Sequence, residues 1–277
     1  MVYLHVLLVV ILPFLNFSLP PKPKKKLIWS DEFNYTGLPD AKKWKHEEGY
    51  VRNKEMQYYT KQRLENAHVE NGNLVIEARL DSVQINDKII PVTSASLTTQ
   101  GIAEWQYGRI EVRAKIPSAR GTWPAIWMLG KNTPEAGWPA GGEIDIMEHV
   151  GYDSEFIHTN IHTKAYNHIK KTNKGKAKPF PQPYKDFHVY AIDWNKSKID
   201  FFIDDKVVFT FRNEGTGSDV WPYDQPFYLI LNLAIGGGWG GTKGVDMQAF
   251  PHKFYIDYVR IYQDKKYKLN FNEINED

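Results

Sequence analysis

The sequence predicts an all-β fold, a sandwich or a barrel, and three observations predict it. Short runs rich in β-branched and aromatic residues alternate with clusters of Gly, Pro, Asn and Asp from residue 27 to about residue 263. Several of these runs alternate apolar and polar residues, the period of two that a half-buried strand needs. No long stretch sustains a 3.6-residue period, and no segment repeats.

The runs follow in chain order. Asn71-Gly72 is a turn signal, and 73–78 (NLVIEA) reads as the strand that leaves it. Residues 107–116 (YGRIEVRAKI) and 187–194 (FHVYAIDW) are the next two. Residues 198–203 (KIDFFI) and 207–212 (VVFTFR) flank Asp204-Asp205-Lys206, a hairpin with an acidic turn. Residues 227–234 (FYLILNLA) and 254–262 (FYIDYVRIY) complete the series. Many strands at short spacing mean a sandwich or barrel. No linker interrupts 27–263, which reads as one domain, and 264–277 reads as a polar tail.

Composition bounds the function. The chain has 277 residues, enough to bury a sizeable core without staples. Lys+Arg 35 against Asp+Glu 33 gives +2, so charge argues for no nucleic acid or acidic partner. Cysteine is absent, which excludes disulfides, thiolate metal sites and Cys nucleophiles. Aromatics reach 14%, the mark of a large β core or of flat stacking surfaces for a ring-shaped ligand.

Residues 2–17 (VYLHVLLVVILPFLNF) are almost wholly apolar and shorter than a comfortable membrane span. Residues 1–19 therefore read as a signal peptide and 20–26 as an extended linker. The expected product is secreted, periplasmic or on the cell surface, with no stable membrane association after cleavage. The alternative is an uncleaved N-terminal anchor held by the basic patch of Lys22 and Lys24 to Lys26.

The chemically informative segment is 141–151 (GGEIDIMEHVG). In a plain strand Glu143 and Asp145 share one face, and Glu148 points into the core. A buried unpaired carboxylate there is costly. A β-bulge at Ile146 or Met147 removes the conflict by adding one residue and turning Glu148 onto the face of the other two. The outer Cα atoms then lie about 13 Å apart, and side chains leaning inward can bring their carboxyls to the roughly 5–5.5 Å of a retaining glycosidase. In that reading Glu143 is the nucleophile, Glu148 the general acid/base, and Asp145 hydrogen-bonds and orients Glu143. Acidic alternation alone also fits a solvated edge strand or a cation site.

Glu143-Ile-Asp-Ile-Met-Glu148 resembles the active-site motif of glycoside hydrolase family 16 in its bulged form. Asp31-Glu-Phe-Asn34, Tyr107-Gly-Arg-Ile-Glu-Val-Arg113, Trp123-Pro-Ala-Ile-Trp127, Asn232-Leu-Ala-Ile-Gly-Gly237 and Ile256-Asp-Tyr-Val-Arg-Ile-Tyr262 resemble the family in the same order. Trp138-Pro139, His149-Val-Gly151 and Ile161-His-Thr163 are most similar to laminarinases, endo-acting on β-1,3-glucan. Ala140 departs from them, where many carry Cys.

The resemblance implies a curved β-jelly-roll sandwich of concanavalin A type, with a substrate cleft across its concave face. It also implies hydrolysis with retention through Glu143. It places Asn53, Tyr58, Trp123, Trp127, Trp138, His162 and Trp239 at the substrate. Physics supports the tryptophans separately, because sugar rings stack their C–H faces on indoles. Trp123 and Trp127 lie two strand steps apart and share a face, whereas Trp29, Trp44, Trp105, Trp194 and Trp221 are expected in the core. His162 is as well explained as a satisfied structural histidine. The resemblance further implies one structural calcium ion on Glu32, the Gly72 carbonyl and Asp257, all oxygen donors. No cofactor is expected for catalysis.

The expected protein is a monomeric β-glucan hydrolase. A mixed-linkage β-1,3/1,4-glucan hydrolase, a sulfated-galactan hydrolase such as one acting on agar or carrageenan, and a non-catalytic glucan-binding protein are the alternatives. Lys164, His168, Lys170, Lys171, Lys174, Lys176 and Lys178 form a basic loop after His162 that reads as solvated surface, with a role at the cleft rim as the alternative.

Overall fold

The computed structural model describes residues 25–85 and 87–264. The proposed signal peptide, most of the linker and the tail beyond Asp264 lie outside the described residues. The first half of the chain gives β1 (Lys26–Asp31), β2 (Lys45–His46), β3 (Tyr58–Tyr59), β4 (Ala67–Glu70), β5 (Asn73–Ile85), β6 (Lys88–Ser94), β7 (Ser96–Thr98), β8 (Gly108–Lys115) and β9 (Thr122–Gly130). The second half gives β10 (Glu143–Glu148), β11 (Phe156–His162), β12 (Lys174–Pro179), β13 (His188–Trp194), β14 (Lys198–Ile203), β15 (Lys206–Arg212), β16 (Phe227–Ile235) and β17 (His252–Gln263). Two single-turn helices, α1 (Thr133–Ala136) and α2 (Gly237–Gly240), sit between strands.

The strands form two open sheets. One runs β15-β14-β13-β8-β17-β5-β6-β3, with β1 on β17 and β4 on β5; the other runs β12-β11-β10-β9-β16-β7-β2. Pairings are antiparallel except β3 with β6. This is the two-layer all-β sandwich expected from the sequence. The anticipated turns are present: Asn71 (φ 51°) and Gly72 (φ 76°) join β4 to β5, and both φ values are positive, as a tight two-residue hairpin requires. The Asp204-Asp205 turn joins β14 to β15.

Each sheet turns one face inward. β8 buries Ile110, Val112 and Ala114 while Arg109, Glu111 and Arg113 stay half-exposed, the alternation of a strand with one wet face. β16 is buried at every position, which its nearly unbroken apolar run (FYLILNLAI) required. Leu229, Leu231, Leu233 and Ile235 enter the common core, whereas Tyr228 and Ile230 join Ala125 and Trp127 in a separate apolar layer on the outer face of the smaller sheet. Trp44, Trp105, Trp194 and Trp221 are buried core residues; Trp29 is half-buried and packs edge-on against Trp44 and Trp105. Among the described residues no helix is long and apolar enough to cross a membrane.

The candidate active site

The bulge inferred from the sequence is present at Ile146. Against β9, Asp145 faces Trp127 and Met147 faces Ile126, so Ile146 is the extra residue. Against β11, Asp145 faces Asn160 and Glu148 faces His158. Ile144, Ile146 and Met147 enter the core, while Glu143, Asp145 and Glu148 line one cleft on the other face. The inserted residue is apolar and fully buried, so the bulge costs no unsatisfied side chain and moves Glu148 from the core to the cleft.

The cleft has a volume of about 1030 Å³ and crosses the smaller sheet. The carboxyl row on β10 lies near its middle. His158, Asn160 and His162 from β11, then Gly175 and Ala177 from β12, floor one side; Trp123, Trp127 and Asn232, then Arg52 and Asn53, floor the other.

The two outer carboxylates each receive an indole N–H. Trp138 Nε1 donates to Glu143 Oε2 at 2.8 Å, and Trp123 Nε1 donates to Glu148 Oε1 at 3.0 Å. Asp145 is 2% exposed and hydrogen-bonded to Glu143. Burial pushes Glu143 up to about 7, opposed by the Trp138 and Asp145 hydrogen bonds and by the charge of Arg52. Burial and then the charge of Glu143 push Glu148 up to about 7, opposed by the Trp123 bond. Asp145 is pushed well above the carboxylate range by burial and by both glutamates. Three carboxyls cannot all ionise in one dry row. Glu143, with two donors and a nearby arginine, is the best placed to carry charge, and Asp145 is the worst placed. The arrangement can therefore present one carboxylate and one carboxylic acid to a substrate across the row.

The residues expected at the substrate separate into those the fold brings together and one that it does not. Asn53, Trp123, Trp127, Trp138, His162 and Trp239 all line the cleft. Trp239 packs edge-on against Trp123 and His158. The 237–241 turn is held to the 53–56 loop by Gly238 N–H donating to the Asn53 carbonyl at 3.0 Å. Gly237 has a φ of +72°, and a Cβ there would lie 3.0 Å from Glu55 Cγ and 3.2 Å from the Asn53 carbonyl oxygen, so glycine suits this close approach of the two loops. Tyr58 is not brought to the cleft: its ring packs edge-on against Tyr50, 5.5 Å away. Successive residues of an extended segment face opposite sides, and Tyr59 took the inner one. Tyr59 is fully buried, donates to Glu55 Oε2 and accepts from Asn232 Nδ2.

This exposes a network that the sequence did not announce. Trp127 Nε1 donates to Asn232 Oδ1 at 2.7 Å, Asn232 donates to Tyr59, and Tyr59 donates to Glu55, which also accepts from Asn53 and Gln57. Arg52 lies over the Trp127 ring at 4.9 Å and pairs with Glu47. The network fixes the tilt of the Trp127 ring. Asn232 carried a readable signal, as the single polar residue in an otherwise apolar strand; nothing in the sequence singled out His158.

His162 is 5% exposed, and burial lowers it to about 4, so its ring is neutral. The basic loop is divided by strand parity. Asn160 faces Gly175 and His158 faces Ala177 across the β11–β12 ladder, so Gly175 and Ala177 share the cleft face and Lys174, Lys176 and Lys178 alternate away from it. Lys176 nevertheless lines the cleft, as does His168, whose ring packs against Trp138 and His162.

The proposed calcium donors are oxygen atoms, as a hard cation needs. Asp257 is the bulged residue of β17, and Gly72 lies in the β4–β5 turn. Both carboxylates carry a cationic partner: Arg260 makes a bidentate pair with Glu32, and Arg113 pairs with Asp257. In this structure the two carboxylates are thus engaged by arginines.

Comparison with known proteins was consistent with this geometry. The family model described as glycosyl hydrolases family 16 matches residues 44–260. A beta-glucanase of Rhodothermus marinus is 50% identical over 250 residues, covering 87% of this chain and 86% of the relative. The X-ray structure of the laminarinase from Rhodothermus marinus superposes with a TM-score of 0.83 at 49% identity, covering 87% of this chain and 98% of that one. A substituted form of SCLam, a non-specific endo-β-1,3(4)-glucanase crystallised with 1,3-β-D-cellotriosyl-glucose, superposes with a TM-score of 0.83 at 48% identity, covering 89% and 96%.

Proposed function

The chain belongs to glycosyl hydrolases family 16 and is a glycoside hydrolase, and from that premise we propose that it is a retaining endo-β-1,3-glucanase acting on laminarin-type glucans. The observation that carries the reading is the bulged row: Glu143, Asp145 and Glu148 on one face, in mid-cleft, with an indole donor on each outer carboxylate.

Glu143 is the nucleophile. Its carboxylate attacks the anomeric carbon while Glu148 delivers its proton to the departing glycosidic oxygen, leaving a glycosyl ester on Glu143. Glu148, now ionised, takes a proton from water, and that water opens the ester to restore both residues. Asp145 holds its own proton toward Glu143 and keeps that carboxylate oriented. Glu143 attacks opposite the departing oxygen and water then enters from the face that oxygen left, so two inversions retain the anomeric configuration. The metal-free chemistry needs no cofactor. Trp123, Trp127, Trp138 and Trp239 offer faces and edges to sugar rings, and Asn53 and His162 offer polar contacts. Two strands lie on each side of β10 within the cleft, about 10 Å each way at strand spacing, room for sugar units on both sides of the cleaved bond. Such a cleft supports internal cleavage. The site is complete within one chain, which supports a monomer.

A second reading is carried by the similarity to a non-specific endo-β-1,3(4)-glucanase: mixed-linkage glucan is also cut. A sulfated galactan is disfavoured, because of the three β12 lysines only Lys176 lines the cleft. Product analysis on laminarin and barley mixed-linkage glucan tests the proposal. A faster-formed ladder of β-1,3 oligosaccharides from laminarin is the expected result; faster attack on the mixed-linkage polymer moves the substrate to the second reading.

The pH profile tests the roles. Glu148 must be protonated, so kcat/KM falls as pH rises through its pKa near 7. The Trp123 N–H stabilises the ionised form of Glu148 and lowers that pKa. Trp123→Phe keeps the ring and removes the donor, so the basic limb should move to higher pH. An unmoved basic limb would reject Glu148 as the acid.

A structural calcium ion on Glu32, Gly72 and Asp257 is part of the proposal. It would tie the end of β1 to β17 and the β4–β5 turn and take no part in the chemistry. Chelation should lower the melting temperature by about 5 °C or more, and an unchanged melt removes the ion. Export through cleavage of 1–19 is proposed from the apolar run and from a polymeric substrate; N-terminal sequencing of exported protein tests it.

A further inference from the structure

Electron pairs from three side chains converge at the floor of the cleft. Glu143 Oε1 lies 3.6 Å from His162 Nε2, and Asp145 Oδ2 lies 3.4 Å from the same nitrogen. One donor atom from each of the three residues lies within 4.8 Å of the others. Asp145 is 2% exposed, and its Oδ2 is buried, turned to this point and without a hydrogen-bond partner.

The tautomer of His162 decides what fills the space. Asn160 Oδ1 accepts the backbone N–H of Ile161 at 3.1 Å and Nδ2 of Asn173 at 3.3 Å. A backbone N–H only donates, so the Asn160 amide cannot be flipped. Its Nδ2 therefore points at His162 Nε2, 3.1 Å away. An amide NH₂ offers hydrogens alone, so Nε2 accepts here and the proton of the neutral ring is assigned to Nδ1, a buried nitrogen with no partner of its own. The imidazole turns a lone pair, not an N–H, toward the two carboxyls.

The donors are also held. Tyr223 Oη lies 3.1 Å from the Glu143 carbonyl and 3.3 Å from the His162 carbonyl, bridging the backbones of β10 and β11 at the two ligands. A tetrahedral ion with bonds of about 2.0–2.2 Å separates its ligand atoms by roughly 3.3–3.6 Å. The His162 distances match that edge length without movement of the backbone.

We propose that Glu143, Asp145 and His162 form a binding site for a divalent cation of the Zn²⁺ or Cu²⁺ class, with its fourth position open to the cleft. One imidazole nitrogen and two carboxylate oxygens suit these ions better than Ca²⁺ or Mg²⁺. The bound ion takes the lone pair of Nε2 in place of the Asn160 amide contact and displaces the proton that Asp145 holds toward Glu143. It also engages Glu143, so it inhibits hydrolysis; that consequence, unlike the binding, rests on the proposed role of Glu143.

Cu²⁺ is the probe. The full chain is titrated with Cu²⁺ alone, followed by calorimetry and by the nitrogen hyperfine pattern in electron paramagnetic resonance. Wild type should bind one tight equivalent with a single-nitrogen pattern. His162→Ala should lose that pattern and bind at least tenfold more weakly. Asp145→Asn should weaken binding at least tenfold and keep the pattern, which guards against a folding defect in the first variant. Unchanged affinity in both variants, with melting curves like wild type, overturns the site. Binding through His162 that leaves laminarin hydrolysis intact supports the site and rejects Glu143 as the nucleophile.

Discussion

Glu143→Gln and Glu148→Gln are each expected to lower kcat/KM on laminarin by about three orders of magnitude. Laminarin binding should stay nearly unchanged, because each substitution is isosteric and each indole still finds an amide oxygen to donate to. The two losses have different causes, and a small anion separates them. In Glu148→Ala the glycosyl ester on Glu143 still forms from a substrate with a good leaving group, and azide attacks it from the face that water would use. The product is the β-glycosyl azide. In Glu143→Ala azide enters the place of the missing carboxylate, attacks from the opposite face and gives the α-glycosyl azide. The same anomer from both variants would reject the division of roles. Full activity in either Gln variant would reject the site.

The second large effect is on stability. Gly151→Ala is expected to cost about 3 kcal/mol and to lower the melting temperature by roughly 10 °C. A Cβ there would lie 1.8 Å from the Ala119 carbonyl oxygen and 2.5 Å from its carbon. Both are backbone atoms, so no rotamer change relieves the clash. The strain falls beside the site: Thr122 Oγ1 donates to the same carbonyl, and His149 N–H donates to Pro124 O. Displacing this contact moves the end of β10 that carries Glu148 and the start of β9 that carries Trp123, so activity should fall with stability. A melt within about 1 °C of wild type would show that the Ala119 segment yields freely.

The carboxyl row was legible because two rules collided in six residues. Strand parity sent Glu148 into the core, the cost of burying a charge forbade it, and a bulge was the local solution. The structure places that bulge at Ile146, one of the two positions the argument allowed. Tyr58, which the resemblance placed at the substrate, shows what strand parity leaves open. Parity says that neighbours face opposite sides, but in a two-residue strand it does not say which neighbour turns inward. Packing decided for Tyr59, because its hydroxyl could satisfy Glu55 and Asn232 together. The basic loop was likewise visible as a charge run, yet its direction depended on register with β11.

The sequence alone determined the all-β texture, the turns at Asn71-Gly72 and Asp204-Asp205, the core tryptophans and the carboxyl row. Each is set by side chains within a few residues of one another, through periodicity, turn chemistry and the cost of burying charge. Only the tertiary structure decided the indole donors on Glu143 and Glu148, the Trp127–Asn232–Tyr59–Glu55 relay, the raised protonation of the row and the lone pair that His162 turns toward it. These depend on residues up to 173 positions apart and on how far water is excluded from their meeting point. Electrostatics and hydrogen-bond direction belong to that enclosed space, so no local pattern could encode them.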